Sequence, residues 1–220
     1  MSNSSESIKE LLHSQDFGDR LRGVNQLRQL DQATAFELVQ IPVSDSNVRV
    51  RYAAVSQLAS VGGQDPDASF RLLKAALFDP EPDVQAAAAD SIGALHLTDA
   101  YDDLERLYQR TPEWLVKFSI VAALGELGEP RSFELLVDAL QSDSELLQTA
   151  AIGSLGELGD DRAVERLVPF ATHADWQIRY RVVQALSRFD HSEARSTLET
   201  LAQDEVEQVA TQAKASLNLA

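Results

Sequence analysis

The sequence contains no cysteine, so disulfides and thiolate metal sites are excluded. Histidine is scarce. His13, His96, His173 and His191 are scattered, and no two have the spacing that places metal ligands on one helical face. Each reads as a turn or surface residue, and no metal site is expected. Positive charge is also in short supply, with 19 Lys and Arg against 35 Asp and Glu, a net −16. Phosphate is held by basic surface, so nucleic acid is not an expected partner. No apolar run approaches the ~20 residues of a membrane span. The opening Met1-Ser2-Asn3-Ser4-Ser5 lacks the apolar segment of a secretory signal. The expectation is a soluble cytoplasmic protein with no membrane insertion.

Recognisable chemistry is missing too. There is no nucleophile motif and no glycine loop that would cradle phosphate. The carboxylate pairs Asp102–Asp103 and Asp160–Asp161 fall where helices begin or turn, which helix-start electrostatics explains. No catalytic residues are assigned. No alternating strand pattern is bounded by turn residues on both sides.

What the sequence does hold is a repeat. One copy runs from Asp143 to Gly159. After a turn residue, apolar side chains at Leu147, Ala150, Ala151 and Leu155 share one helical face. Gly156 and Gly159 are expected to close that helix. Leu147 is matched by Val50, Val84, Val116, Ile178 and Val209 in the other copies. Leu155 is matched by Leu58, Ile92, Leu124, Leu186 and Leu217, and Leu27 ends a weaker first copy. Successive copies begin 31 to 34 residues apart. Such a period means stacked units that bury their faces only against neighbours. The expected fold is all-α, one domain over residues 1–220, a solenoid of about seven helix pairs with residues 1–5 disordered. Within it, Thr34 with Glu37 fits a capping box.

Two positions of the repeat carry candidate function. The residue after the first apolar one forms a ladder: Arg20, Arg51, Gln85, Lys117, Gln148 and Arg179. These side chains either bond the acidic turn of an adjacent repeat, such as Asp45 or Asp143, or face a partner's acidic groups. The next position holds Tyr52, Phe118 and Tyr180, and Trp114 and Trp176 share a third position. Each aromatic could be local packing, but two matched sets beside Lys117, Arg179 and Arg181 mark a candidate binding surface. The first 60 residues are nearly balanced, with 6 basic and 7 acidic groups, whereas residues 61–220 hold 13 and 28. Arg20 and Arg22 in that first third are therefore candidate docking residues for an acidic partner.

The recurring Val/Ile-Arg-x-x-Ala/Val-x-x-x-Leu and Gly-x-Leu-Gly-Asp/Glu-x-Arg pattern resembles the HEAT-like repeat of the phycobilisome-lyase type, relatives of the E/F-type phycocyanobilin lyases. It stands here as Val50-Arg51-Tyr52-Ala53-Ala54, Gly125 to Arg131 and Gly156 to Arg162. The stretches Asp16 to Val24 and Asp175 to Arg181 resemble members of that family concerned with phycobilisome degradation. The resemblance implies contact with phycobiliproteins (phycocyanin, allophycocyanin), with their open-chain tetrapyrrole and with other degradation factors, at phycobilisomes on the cytosolic side of the thylakoid. It implies no tightly bound cofactor and only transient contact with phycocyanobilin. On that reading Arg51, Tyr52, Trp114, Lys117, Phe118, Trp176, Arg179, Tyr180 and Arg181 face bilin or partner. A subunit of a heteromeric bilin lyase and a general protein-interaction scaffold remain the alternatives. With no cysteine, the chain cannot itself carry a thioether-linked chromophore.

Overall fold

A computed structural model describes residues 5–218. Its described residues form fourteen α-helices and five short 3-10 turns, with no strand. The chain falls into two compact units, residues 1–123 and 124–220. The first unit contains α1 (Ser5–Leu12), α2 (Phe17–Gln26), α3 (Gln32–Val39), α4 (Val48–Val61), α5 (Pro66–Ala76), α6 (Pro82–Ala94), α7 (Tyr101–Arg110) and most of α8 (Trp114–Leu127). The second contains the end of α8, then α9 (Ser132–Leu140), α10 (Glu145–Leu158), α11 (Arg162–Leu167), α12 (Trp176–Leu186), α13 (Ser192–Leu201) and α14 (Glu207–Asn218). The disorder expected of residues 1–4 lies outside the described residues. Ser5 already belongs to α1, contrary to expectation.

Helix boundaries follow local chemistry. Asp65 starts α5 by accepting the Ala68 N–H at 2.9 Å, with Pro66 at the first helical position. Asp31, not Thr34, caps α3: its carboxylate accepts the Thr34 N–H at 3.0 Å. The capping box expected from Thr34 and Glu37 is therefore displaced by an acid three residues earlier, and both residues lie inside the helix.

The repeating apolar positions make the core. Val50, Val84, Val116 and Val209 are fully buried, as are Leu58, Ile92, Leu124, Leu155 and Leu186. Each such side chain contributes about 1.5–3 kcal/mol on leaving water. Leu217, in the last repeat, is only half-buried. In the first unit α4 packs on α6, and in the second α12 lies between α10 and α14.

The glycines of Gly-Glu-Leu-Gly divide their work differently from expectation. Gly159 does end α10, at φ +69°. Gly156 lies inside the helix. A Cβ there would stand 2.8 Å from Ala185 Cα, so this glycine lets α10 and α12 approach backbone to backbone. Gly125 does the same against Ser154, while Gly128 takes the positive φ.

Candidate functional site

Every repeat turn is built on one device. A side chain accepts the backbone N–H two residues ahead, just before the helix that carries the ladder. Ser14 accepts from Asp16, Asp45 from Asn47, Asp79 from Glu81, Thr111 from Glu113, Ser142 from Ser144, His173 from Asp175 and Asp204 from Val206, all at 2.8–3.2 Å. Such side-chain-to-backbone bonds are the natural chemistry of these residues in turns. In the fifth repeat the turn residue is thus Ser142, not Asp143.

Three ladder arginines read the next turn. Arg20 Nε and Nη2 donate to the Asp45 carboxylate at 2.6 and 2.9 Å. Arg51 holds Asp79 at 2.7 and 2.9 Å, and Arg179 holds Asp204 at the same two distances. The remaining Nη1 of each donates to two carbonyls of its own turn: Ser14 and Gln15, Asp45 and Ser46, His173 and Ala174. The pairs are mostly buried, with side-chain exposures of 7–14%. Burial works against the Asp45 and Asp79 charges, but the Arg20 and Arg51 hydrogen bonds and the turn N–H groups outweigh it, leaving both carboxyls below the ordinary range. For Asp204 the Arg179 hydrogen bond is the largest influence, in the same direction. Bidentate, desolvated pairs of this kind fix geometry. The sequence offered two roles for the ladder, and these three guanidinium groups are engaged in repeat register. Their charge is not turned to a ligand.

Gln85 and Lys117 are also engaged within the fold. Gln85 Nε2 donates to the Asp79 carbonyl at 2.7 Å, the bond that Arg51 Nη1 makes one repeat earlier. Where the ladder residue is Gln85 or Gln148, the next turn holds Thr111 or His173 rather than an acid. Lys117 extends over the Tyr108 ring, 5.2 Å from its centre.

Of the candidate binding residues, the structure brings three together. Trp176, Tyr180 and Arg181 line a cavity of about 930 Å³ formed by α10, α12 and α14. Leu146 and Thr149 of α10, Gln184 of α12, and Gln208 and Gln212 of α14 complete its walls, and Glu145, Asp175 and Glu207 also line it. Leu146 is 58% exposed and Trp176 38%, large apolar surfaces left open to solvent. Tyr180 OH and Gln212 Oε1 are 3.4 Å apart, and Arg181 Nη1 donates to Gln184 Oε1 at 3.1 Å. The ring and the guanidinium are thereby oriented without an ion pair among the described residues.

Tyr52 lines a different cavity, of about 430 Å³, between α4, α6 and α8. Trp114 and Phe118 line neither cavity. They stand one helical turn apart on α8, exposed by 62% and 37%. Arg22 is exposed and pairs with Asp19 at 3.1 Å. The four histidines lie in turns, as expected: His173 and His191 accept backbone N–H groups, and His96 takes a positive φ. No cluster of potential metal ligands exists among the described residues, and no described helix is long and apolar enough to cross a membrane.

Sequence reasoning missed Leu146, Gln184, Gln208 and Gln212. The signal was in the repeat frame. Both cavities draw on the same frame positions of three successive ladder helices, so Gln184 corresponds to Asp90 and Gln212 to Ser119.

The chain resembles solved helical repeat structures throughout its length. It superposes on the complex of CpcE and CpcF of phycocyanin lyase from Nostoc sp. PCC7120, with a TM-score of 0.66 and 18% identity, over 98% of this chain and 94% of that one. It is similar to the archaeal HEAT-like repeats protein of Thermococcus onnurineus NA1, with a TM-score of 0.59 and 14% identity, over 98% and 96% of the two chains. An engineered protein gives a TM-score of 0.62 at 18% identity, over 97% of this chain and 67% of that one. These identities establish a shared fold. No curated protein sequence matches the chain. The HEAT repeats model matches residues 70–154 and 136–218, more than half of the sequence. The array of helices with a repeated turn, a repeated ladder and a repeated buried face accords with that match, and the chain belongs to the HEAT repeat family.

Proposed function

We propose that this protein binds phycobiliprotein and its open-chain tetrapyrrole and assists chromophore detachment and phycobilisome degradation. One observation carries the reading. Trp176, Tyr180 and Arg181 converge in a cavity of about 930 Å³, within the usual range of small-molecule sites. Two aromatic faces suit a flat conjugated ligand. Arg181 meets a propionate. Gln184, Gln208 and Gln212 supply amide donors and acceptors for the lactam ends. The carboxylates Glu145 and Glu207 repel a bare anion, so they favour a ligand that turns pyrrole N–H groups toward them and its own carboxylates toward Arg181. Trp114 and Phe118 on α8 supply exposed apolar surface for the protein that carries the pigment.

The likeness to the CpcE and CpcF structure is consistent with this reading at the level of fold. The stretches Asp16 to Val24 and Asp175 to Arg181 support a finer resemblance to the cyanobacterial non-bleaching protein B. A second reading, a subunit of a heteromeric bilin lyase, draws on the same structural likeness, since that protein is itself a complex of two chains. Turnover without any added partner separates an enzyme from a binder.

The test is an absorbance and fluorescence titration of free phycocyanobilin, and separately of chromophore-loaded phycocyanin, with the full chain. The expected result is a spectral shift and pigment transfer, both lost when Trp176→Ala and Tyr180→Ala are combined. A flat titration with co-elution on a sizing column leaves only an adaptor. A flat titration without co-elution overturns the proposal.

A further inference from the structure

The cavity between α4, α6 and α8 is the frame equivalent of the one in the second unit, but its chemistry is different. Where α12 carries Tyr180 and Arg181, α6 carries Ala86 and Ala87. Where α12 carries Gln184, α6 carries Asp90. The alanines remove bulk from one wall, and the acid replaces an amide. The fold does not require that acid, because Gln184 fills the same position without disturbing the packing of α12.

The state of Asp90 sets it apart from the carboxylates of the register. Asp45, Asp79 and Asp204 each hold an arginine. Asp90 has no ion pair among the described residues, and the Ser119 side chain on α8 stands on the same cavity wall. It opens to solvent within the cavity, yet the protein packed around it pushes its carboxyl above the ordinary range, the Ser119 bond only partly offsetting this. A carboxylate has about four acceptor positions, so most of its bonding capacity is unused. The titratable groups that share its cavity are few: Arg49 and Tyr52 on α4 and Asp83 on α6. Tyr52, 48% exposed, offers a ring face on the same cavity.

We infer that this cavity is a second ligand site and takes an organic cation, an amine or guanidinium, with Asp90 as its counter-ion and the Tyr52 ring against its carbon stem. The cation supplies the ion pair that Asp90 lacks among the described residues. The aromatic face adds attraction for positive charge. Ser119 of α8 lines the same cavity and offers a hydroxyl beside the carboxylate. The site is independent of bilin binding, since no residue is shared between the two cavities. The cation can be a free amine or a basic side chain of a partner protein, and affinity distinguishes them.

The experiment titrates the full chain with butylguanidinium, with a blocked tripeptide bearing a central arginine, and with n-butanol as the neutral control, followed by NMR of the Tyr52 ring and the Asp90 carboxyl. Both cations are expected to bind and n-butanol not to. Asp90→Asn should weaken them about tenfold, as expected for loss of a charge-assisted bond, whereas Gln184→Ala in the other cavity should change nothing. Tighter binding of the tripeptide assigns the site to a partner's side chain, and equal binding assigns it to a free cation. In the unaltered protein the Asp90 titration midpoint should fall when butylguanidinium is added, a readout that does not depend on a variant folding. Cations that bind no better than n-butanol, an unaffected Asp90→Asn variant, or an unmoved Asp90 midpoint would each overturn the assignment.

Discussion

Arg179 grips Asp204 through two parallel hydrogen bonds, Nε to Oδ2 at 2.7 Å and Nη2 to Oδ1 at 2.9 Å, while its third nitrogen holds the carbonyls of His173 and Ala174. One side chain thus ties the turn before its own helix to the turn before the next. Removing it leaves a mostly buried carboxylate and two carbonyls short of donors. Arg179→Ala should therefore lower unfolding stability by about 2–3 kcal/mol. Arg179→Lys should recover little, because an ammonium cannot serve both turns at once. Urea denaturation of the three proteins checks this, and a lysine variant as stable as the parent would refute the fork argument.

The same pairs predict the acid limb of stability. Asp45, Asp79 and Asp204 have carboxyl pKa values depressed in the folded state. Asp160, beside Arg162, is lowered too. A depressed folded pKa adds stability that is fully present above the unfolded value, about 3.9 for Asp. It is lost as pH falls through the folded value. Urea midpoints should therefore hold level above about pH 5 and decline below about pH 4. An Asp204→Asn variant should be less stable at neutral pH and fall less steeply in acid. Equal acid slopes would exclude Asp204 as a contributor.

Two glycines three residues apart on α10 should respond oppositely to alanine. Gly153 has no atom within 4 Å of where a Cβ would go. Gly153→Ala should therefore stabilise by about 0.5–1 kcal/mol, the usual helix-interior difference. Gly156→Ala would put a Cβ 2.8 Å from Ala185 Cα. Backbone cannot step aside as a flexible side chain can, so α10 and α12 must separate, at a cost of about 1–3 kcal/mol. Thermal melts of the two single variants decide the matter.

Arg22 is the residue with which to test docking to an acidic partner. It is exposed, and its pairing among the described residues is with the neighbouring Asp19. Arg20 is unsuitable, since reversing its charge would place two acids together at Asp45. Arg22→Glu should slow association with phycocyanin several-fold at low salt and leave dissociation nearly unchanged, the usual signature of a rim charge. Stopped-flow mixing at two ionic strengths measures it, and an unchanged on-rate removes Arg22 from the docking surface.

The sequence by itself determined whatever depends on near neighbours. The repeat period, the all-helical class, the buried faces from Val50 to Val209 and from Leu58 to Leu186 and the turn roles of the histidines all follow from spacings of a few residues. Helix periodicity and end chemistry act over that range. It missed where two readings of one residue are locally equivalent. Gly156 and Gly159 look alike along the chain, and only the approach of α12 makes one a contact and the other a cap. Arg51 and Arg181 both look like free cations, yet Asp79, 28 residues away, takes up the first, while the second remains in a cavity. The aromatic set divided likewise: Trp176 and Tyr180 converge in one cavity, Tyr52 lines another, and Trp114 and Phe118 line neither. Asp90 gave no local sign at all. Its character comes from the alanines beside it and from Ser119 on the next ladder helix, which share its cavity. Tertiary structure decided these points because the offset between successive repeats, about one turn device and 25 or more residues along the chain, selects which side chains meet. No spacing within a single helix encodes that offset.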